Sequence, residues 1–181
     1  MPNNFETARL KYKPEIIKYL LVAEAPPNES SNRFFYYEKV STGDSLFLET
    51  MKVLYPEDTT VPSEVRGRKR ELLERFRKEG FYLIDSTDSP MEDSKPSKKR
   101  ERIQESLPSL RKKLRELAAN GVKIILISAP VYHVCADVLK AEKFNVINNE
   151  LIDFPGSGGQ KKFRDKFATM LKAHRWVGSA E

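Results

Sequence analysis

Hydrophobic residues fall along this chain in two textures, short unbroken runs and longer spaced stripes, and the two alternate. Tyr19, Leu20, Leu21 and Val22 are apolar at every position, the texture of a strand covered on both faces inside a parallel sheet. Pro26 and Pro27 cannot donate ladder hydrogen bonds and bias the residues before them towards extended backbone. The strand therefore ends near Ala25, with Glu24 at its carboxyl end. Similar runs predict a second strand at 81–85, a third at 123–128 and a fourth at 144–148.

The stripes between these runs have helical spacing. Leu46, Phe47, Met51 and Leu54 recur on one side, behind Asp44 or Ser45 as N-cap and ahead of Pro56. Leu72, Leu73 and Phe76 mark a helix over 63–79, stopped by Gly80, with Arg66, Arg68, Lys69 and Arg70 on its solvated side. Ile103, Leu107, Leu110, Leu114 and Leu117 keep the spacing through Pro108, which predicts one kinked helix or two short ones ending at Asn120 and Gly121. Pro130 opens a helix that turns Val134, Cys135, Val138 and Leu139 inward. A terminal helix over 161–176 carries Phe163, Phe167, Met170, Leu171 and His174 on its apolar side. Residues 1–13 read as a polar lead-in anchored by Phe5, Leu10 and Tyr12, and 86–102 as a mixed-charge loop rich in Ser and Pro. Strands alternating with helices predict an α/β fold: one domain over 1–181, built as a three-layer α/β/α sandwich around a short, mostly parallel four-stranded sheet.

Composition narrows the class without naming it. A hydrophobic content of 39% beside 32% charged residues and a mean hydropathy of -0.57 describe a charged-surface globular chain. Neither a membrane span nor a signal-peptide core is visible, and the expected location is cytoplasmic. Cys135 is the only cysteine, which excludes an internal disulfide and a cysteine-based zinc or iron–sulfur site within one chain. The net charge of +6 and pI near 9.3 favour polyanionic partners such as nucleic acid.

With all strands running one way, their exits share a rim, and open parallel sheets bind ligands at that rim. AEAPP, DSTDSP, SAPVYH and the loop ending in FPGSGG all leave there. Glu24 is a site candidate on that ground, against the plainer reading of a solvated strand-end acid or a helix partner. Gly156, Ser157, Gly158 and Gly159 lead into a helix beginning Gln160, Lys161 and Lys162, a pattern suited to phosphate or to a simple flexible turn. The glycine spacing is not that of a Walker loop. Four successive rings, Phe34, Phe35, Tyr36 and Tyr37, occupy the loop after the first strand, for ligand stacking or for covering core and sheet edge.

The order of these motifs resembles the uracil-DNA glycosylase superfamily. VAEAPP, residues 22–27, is similar to the family's first motif of the Gly-Glu-Ala-Pro-Gly kind, with Ala23 and Pro27 in place of its glycines. LIDFPGSGGQKKF, residues 151–163, stands where the family has its His-Pro-Ser loop, with Phe154 in the place of the histidine. The resemblance implies a hydrolase of DNA repair that excises a damaged or deaminated base, with no cofactor and no resident metal. It implies that Glu24 and Asp85 are the catalytic residues, Glu24 orienting water or stabilising charge on the sugar and Asp85 facing the base, that Phe34, Phe35 or Tyr36 stacks on that extruded base, and that Ser86 faces it too. Ala25, Pro26, Ser128 and His133 join the base-binding rim, while Gly156, Ser157, Gly158, Gly159, Gln160, Lys161, Lys162 and Arg164 contact DNA, single-stranded or damaged. Asp85 has an alternative as a cap of the next turn, and His133 as a structural residue. Two other functions stay open: a non-catalytic nucleic-acid-binding module of the same fold, and a nucleotide or small-molecule hydrolase in which Glu24 and Asp85 hold magnesium.

Overall fold

The computed structural model describes residues 4–91, 95–119 and 121–176. It is a mixed α/β structure whose sheet has three parallel strands in the order β2-β1-β3. The central strand β1 (Tyr19–Ala23) is buried at every position, as its unbroken apolar run demands. It pairs with β2 (Phe81–Asp85), Ala23 lying opposite Asp85, and with β3 (Lys123–Leu126), Val22 lying opposite Leu126. That register brings the carboxyl ends of β1 and β2 level, so Glu24 and Asp85 emerge at one height.

The fourth strand does not form. Backbone of 144–152 meets this edge of the sheet through two isolated bridges, Ile124–Val146 and, just past the end of β3, Ile127–Ile152. Between them the side chain of Asn148 takes the place of a strand: its Oδ1 accepts from the Leu126 N–H at 3.0 Å. Its Nδ2 donates to the carbonyl oxygens of Leu126 and Glu150, each at 3.1 Å. An amide carries the same donor and acceptor as a peptide unit, so one side chain satisfies the open edge of β3 while the backbone bends away.

Helices differ from the sequence expectation at three places. The lead-in is helical, α1 (Asn4–Lys11), and buries Phe5 and Arg9 while Leu10 is exposed. The expected helix over 63–79 is two, α3 (Pro62–Gly67) and α4 (Lys69–Lys78), divided where Gly67 lowers helix propensity. Helix α5 (Pro96–Leu117) runs unbroken through Pro108, whose ring faces solvent, and it absorbs the second half of the expected 86–102 loop. Its expected stop at Asn120 lies outside the described residues. Helices α2 (Ser45–Leu54), α6 (Ala129–Ala141) and α7 (Gln160–Ala173) follow the predicted stripes. Helix α2 packs on α7, α5 on α6, α4 on β2 and α6 on β3. Among the described residues no helix is long and apolar enough to cross a membrane.

The aromatic loop 34–37 belongs to this framework. Tyr36 is 1% exposed, its hydroxyl accepting from the Leu83 N–H at 2.7 Å and donating to the Leu83 carbonyl at 3.1 Å. Leu83 lies on an outer strand, so Tyr36 closes that edge of the sheet as Asn148 closes the other. Asn148→Ala exposes two buried groups of Leu126 without partners and is expected to cost at least about 2 kcal/mol of stability. Urea unfolding of the variant measures this, and a midpoint unchanged from the parent would remove Asn148 from the edge-closing role.

Candidate functional site

A cavity of about 280 Å³ opens at the carboxyl ends of β1 and β2, near the lower end of the ~300–1,000 Å³ usual for small-molecule sites. Ala23, Glu24, Ala25 and Pro27 form its β1 side and Leu83 with Asp85 its β2 side. Arg33, Phe34 and Phe35, then Gly43 to Phe47 with the first turn of α2, build the opposite wall. Phe154, 42% exposed, reaches in from the late loop. The first motif and the late loop, some 130 residues apart in sequence, thus share one cavity.

Glu24 sits at its rim. Its Oε2 accepts from Lys99 of α5 at 2.7 Å, and its side chain keeps 15% exposure. Its backbone is held from β2: the Ser86 hydroxyl and the Thr87 N–H both donate to the Glu24 carbonyl, at 2.5 and 3.2 Å. Ser86 N–H donates to Ala23 at 2.8 Å, so Ser86 continues the ladder and does not face a ligand.

Asp85 is buried and committed. Its Oδ2 accepts from Arg9 of α1 at 2.6 Å, and the same guanidinium donates to Glu6 at 2.9 Å and lies 5.5 Å from the Phe34 ring centre. Burial lifts the Asp85 carboxyl to about 6, against the pull of Arg9 and, more weakly, Lys113. The sequence showed no reason to look for Arg9 here except its spacing: Phe5, Arg9 and Tyr12 lie on one helical face, and a charge on a core face needs a buried partner.

A second buried pair stands behind the cavity wall. Asp44 occupies the N-cap position of α2 but its side chain makes no cap bond. It turns instead to Arg66, whose Nε donates to Oδ1 at 3.0 Å. The Lys69 ammonium lies 3.8 Å from Oδ2. Lys69 was expected on a solvated face and is fully buried, under the Phe47 ring at 4.3 Å and 3.4 Å from the Phe34 carbonyl. Burial lowers its pKa to about 8, partly countered by Asp44. The signal was present in the stripe: 69, 72, 73 and 76 are i, i+3, i+4 and i+7.

Of the other sequence candidates, Ala25, Phe34 and Phe35 line the cavity, whereas Tyr36 and Pro26 do not. Ser128 is buried as the N-cap of α6, its Oγ accepting from Val131 at 3.5 Å. His133 is exposed on the same helix beside Tyr132. His174, expected on the apolar side of the last helix, is partly exposed and meets the Ile147 carbonyl at 3.2 Å. Neither Ser128 nor His133 reaches the cavity.

Gly156 to Gly159 form the turn that carries Phe154. A Cβ on Gly159 would collide with the Phe154 carbonyl oxygen, so this glycine lets the turn close tightly on the backbone of Phe154. Gln160 begins α7, and Lys161 and Lys162 are exposed on it. Lys161 pairs with Asp165 at 2.6 Å, while Arg164 is drawn to buried Glu49 of α2 and ties the two helices together. No protein-family model, curated protein or solved structure matches this chain. Among the described residues no group of three His, Cys, Asp or Glu side chains is arranged to hold a metal ion.

The Asp85 environment has a pH signature. Because its folded pKa is raised from 3.8 to about 6, the native state holds this proton more tightly than the unfolded chain, so stability falls as pH rises from about 4 to 6. At about 1.4 kcal/mol per pH unit the full effect is on the order of a few kcal/mol. Urea unfolding at pH 4, 5 and 6 should show this downward contribution in the parent and its loss in Asp85→Asn. Parallel pH profiles would overturn the assignment.

Proposed function

We propose that this chain binds a nucleobase extruded from DNA in the cavity of Glu24, Phe34, Phe35 and Phe154, and hydrolyses its N-glycosidic bond as a divergent relative of the uracil-DNA glycosylases. The observation that carries the reading is the meeting of Glu24, from the VAEAPP motif, with Phe154, from the late loop, at the walls of one cavity. Under this reading the parallel sheet is the middle of a three-layer α/β/α sandwich. The cavity admits one flat heterocycle: about 280 Å³ is the share of roughly nine waters at ~30 Å³ each. Rings of Phe34, Phe35 and Phe154 offset the unstacking of the base, at about 1–3 kcal/mol per stacked base.

The chemistry assigned to Glu24 follows from its place at the rim. As the bond between the sugar C1′ and the base nitrogen opens, its electron pair leaves with the base and positive charge grows on the sugar. The carboxylate stabilises that charge and positions the water that adds to C1′. Lys99, at 2.7 Å, holds the carboxylate in place. Asp85 takes no direct part, being committed to Arg9; it positions Phe34 through that guanidinium. DNA phosphates meet Lys161 and Lys162 at the start of α7, while Arg164 serves the α2–α7 contact.

A binding module that lost the chemistry is the second reading, favoured by Phe154 in the place of the family's histidine and by the ion pair on Glu24. Single-turnover release from oligonucleotides bearing damaged, deaminated or mispaired bases separates the two. Glu24→Gln is expected to keep base binding and slow release by about 10²–10⁴-fold. Release that survives the substitution would place catalysis elsewhere, and DNA binding with no release of any base would establish the module. Lys161→Ala with Lys162→Ala should lower the slope of log affinity against log salt by about two. An unchanged slope in the folded variant removes DNA from this helix.

A further inference from the structure

Resting on the nucleobase reading, we infer that Arg33 holds a phosphate at the mouth of the cavity, so that the ligand is a base carrying its sugar phosphate. Arg33 is exposed to solvent and is the basic residue that lines the cavity among the described residues. Its guanidinium makes no hydrogen bond or ion pair with any of them. The side chain is nevertheless seated. It lies across Gly43, where a Cβ would collide with the Arg33 Cδ and stand 3.1 Å from Nη1. Gly43, at a φ of +76°, thus leaves the room in which the arginine lies against the wall.

The charges around Arg33 show what it lacks. Glu24 is bound to Lys99 and Asp85 to Arg9, while Asp44 is buried against Arg66 and Lys69. Each acid of the wall therefore has a cation of its own, and none is left for Arg33. An anion at this position is supplied by the ligand. The interior of the cavity is apolar, with Phe34, Phe35, Phe47 and Leu83 on its walls. A ligand that fits both ends is flat and apolar within and anionic at the mouth. A nucleotide has this division, its base entering the cavity and its phosphate staying at the solvent edge. The planar fork of an arginine donates to two phosphate oxygens at once, which fixes the phosphate in orientation as well as in place.

Isothermal titration calorimetry with the full chain tests this, using 2′-deoxyuridine and 2′-deoxyinosine beside the 3′,5′-bisphosphate of each. A bisphosphate should bind about tenfold or more tighter than its nucleoside. Equal affinities within each pair overturn the inference and leave the nucleobase reading standing, and failure of all four to bind overturns both. Arg33→Gln, checked for folding by circular dichroism, should lose most of the bisphosphate's advantage, and Arg33→Lys, which keeps the charge without the fork, should lose part of it. An advantage that survives in full in either folded variant places the phosphate elsewhere and overturns the role of Arg33. A single-stranded oligonucleotide carrying the same nucleotide should bind tighter than the bisphosphate, because its flanking phosphates add contacts. A bisphosphate that binds tighter than the oligonucleotide keeps Arg33 as the phosphate contact and overturns DNA as the source of the phosphate.

Discussion

The contact between Arg9 and Asp85 joins helix α1 to the end of β2 and, past the Phe34 ring, to the aromatic loop. Helix α1 is polar and short, and Phe5 and Arg9 are its buried residues. Phe5 packs on Phe34 with ring centres 4.8 Å apart. Arg9 reaches past the same ring to Asp85 at 2.6 Å. One guanidinium therefore fixes the lead-in helix, the aromatic loop and the end of β2 at once. A buried pair of this kind adds little net stability, because desolvation consumes most of the attraction. Its effect is on geometry: an arginine that cannot be left unpaired inside the fold admits one seating of α1, and with it one seating of Phe34 in the cavity wall.

The same logic runs around the cavity. Asp44 is held by Arg66 and faces Lys69, Glu24 is held by Lys99, and Glu49 by Arg164. Each of these carboxylates has a cation from another element, so the walls are tied by ion pairs between separate elements laid over an apolar floor. In a medium of low polarity such pairs are rigid and strongly directional. Under the proposed function, rigid walls suit recognition of a flat ring, where a small misplacement of a contact is costly.

The two outer edges of the sheet are closed by side chains, Tyr36 on β2 and Asn148 on β3. Each carries a donor and an acceptor on adjacent atoms or on one oxygen, the minimum needed to mimic a neighbouring strand. This is why a sheet of three strands suffices. It is also why the segment 144–152 has strand-like composition without forming a strand, since an amide side chain has taken the central rung.

Local pattern alone determined where β1, β2 and β3 run, that they are parallel and buried, and where α2, α6 and α7 lie, because unbroken apolar runs and 3.6-residue stripes report burial directly. It also brought out Glu24, Ala25, Phe34 and Phe35, since the end of a buried strand and the loop after it must lie at the rim. Tertiary structure alone decided the partners. Whether Asp85 faces a ligand or Arg9, whether Asp44 caps a helix or lines a wall, and whether Lys69 meets water or a phenylalanine ring depend on contacts between residues far apart in sequence. A charge on an apolar stripe announces only that a partner exists. Its identity is set when burial makes an unpaired charge too costly, and that happens only after the elements have packed.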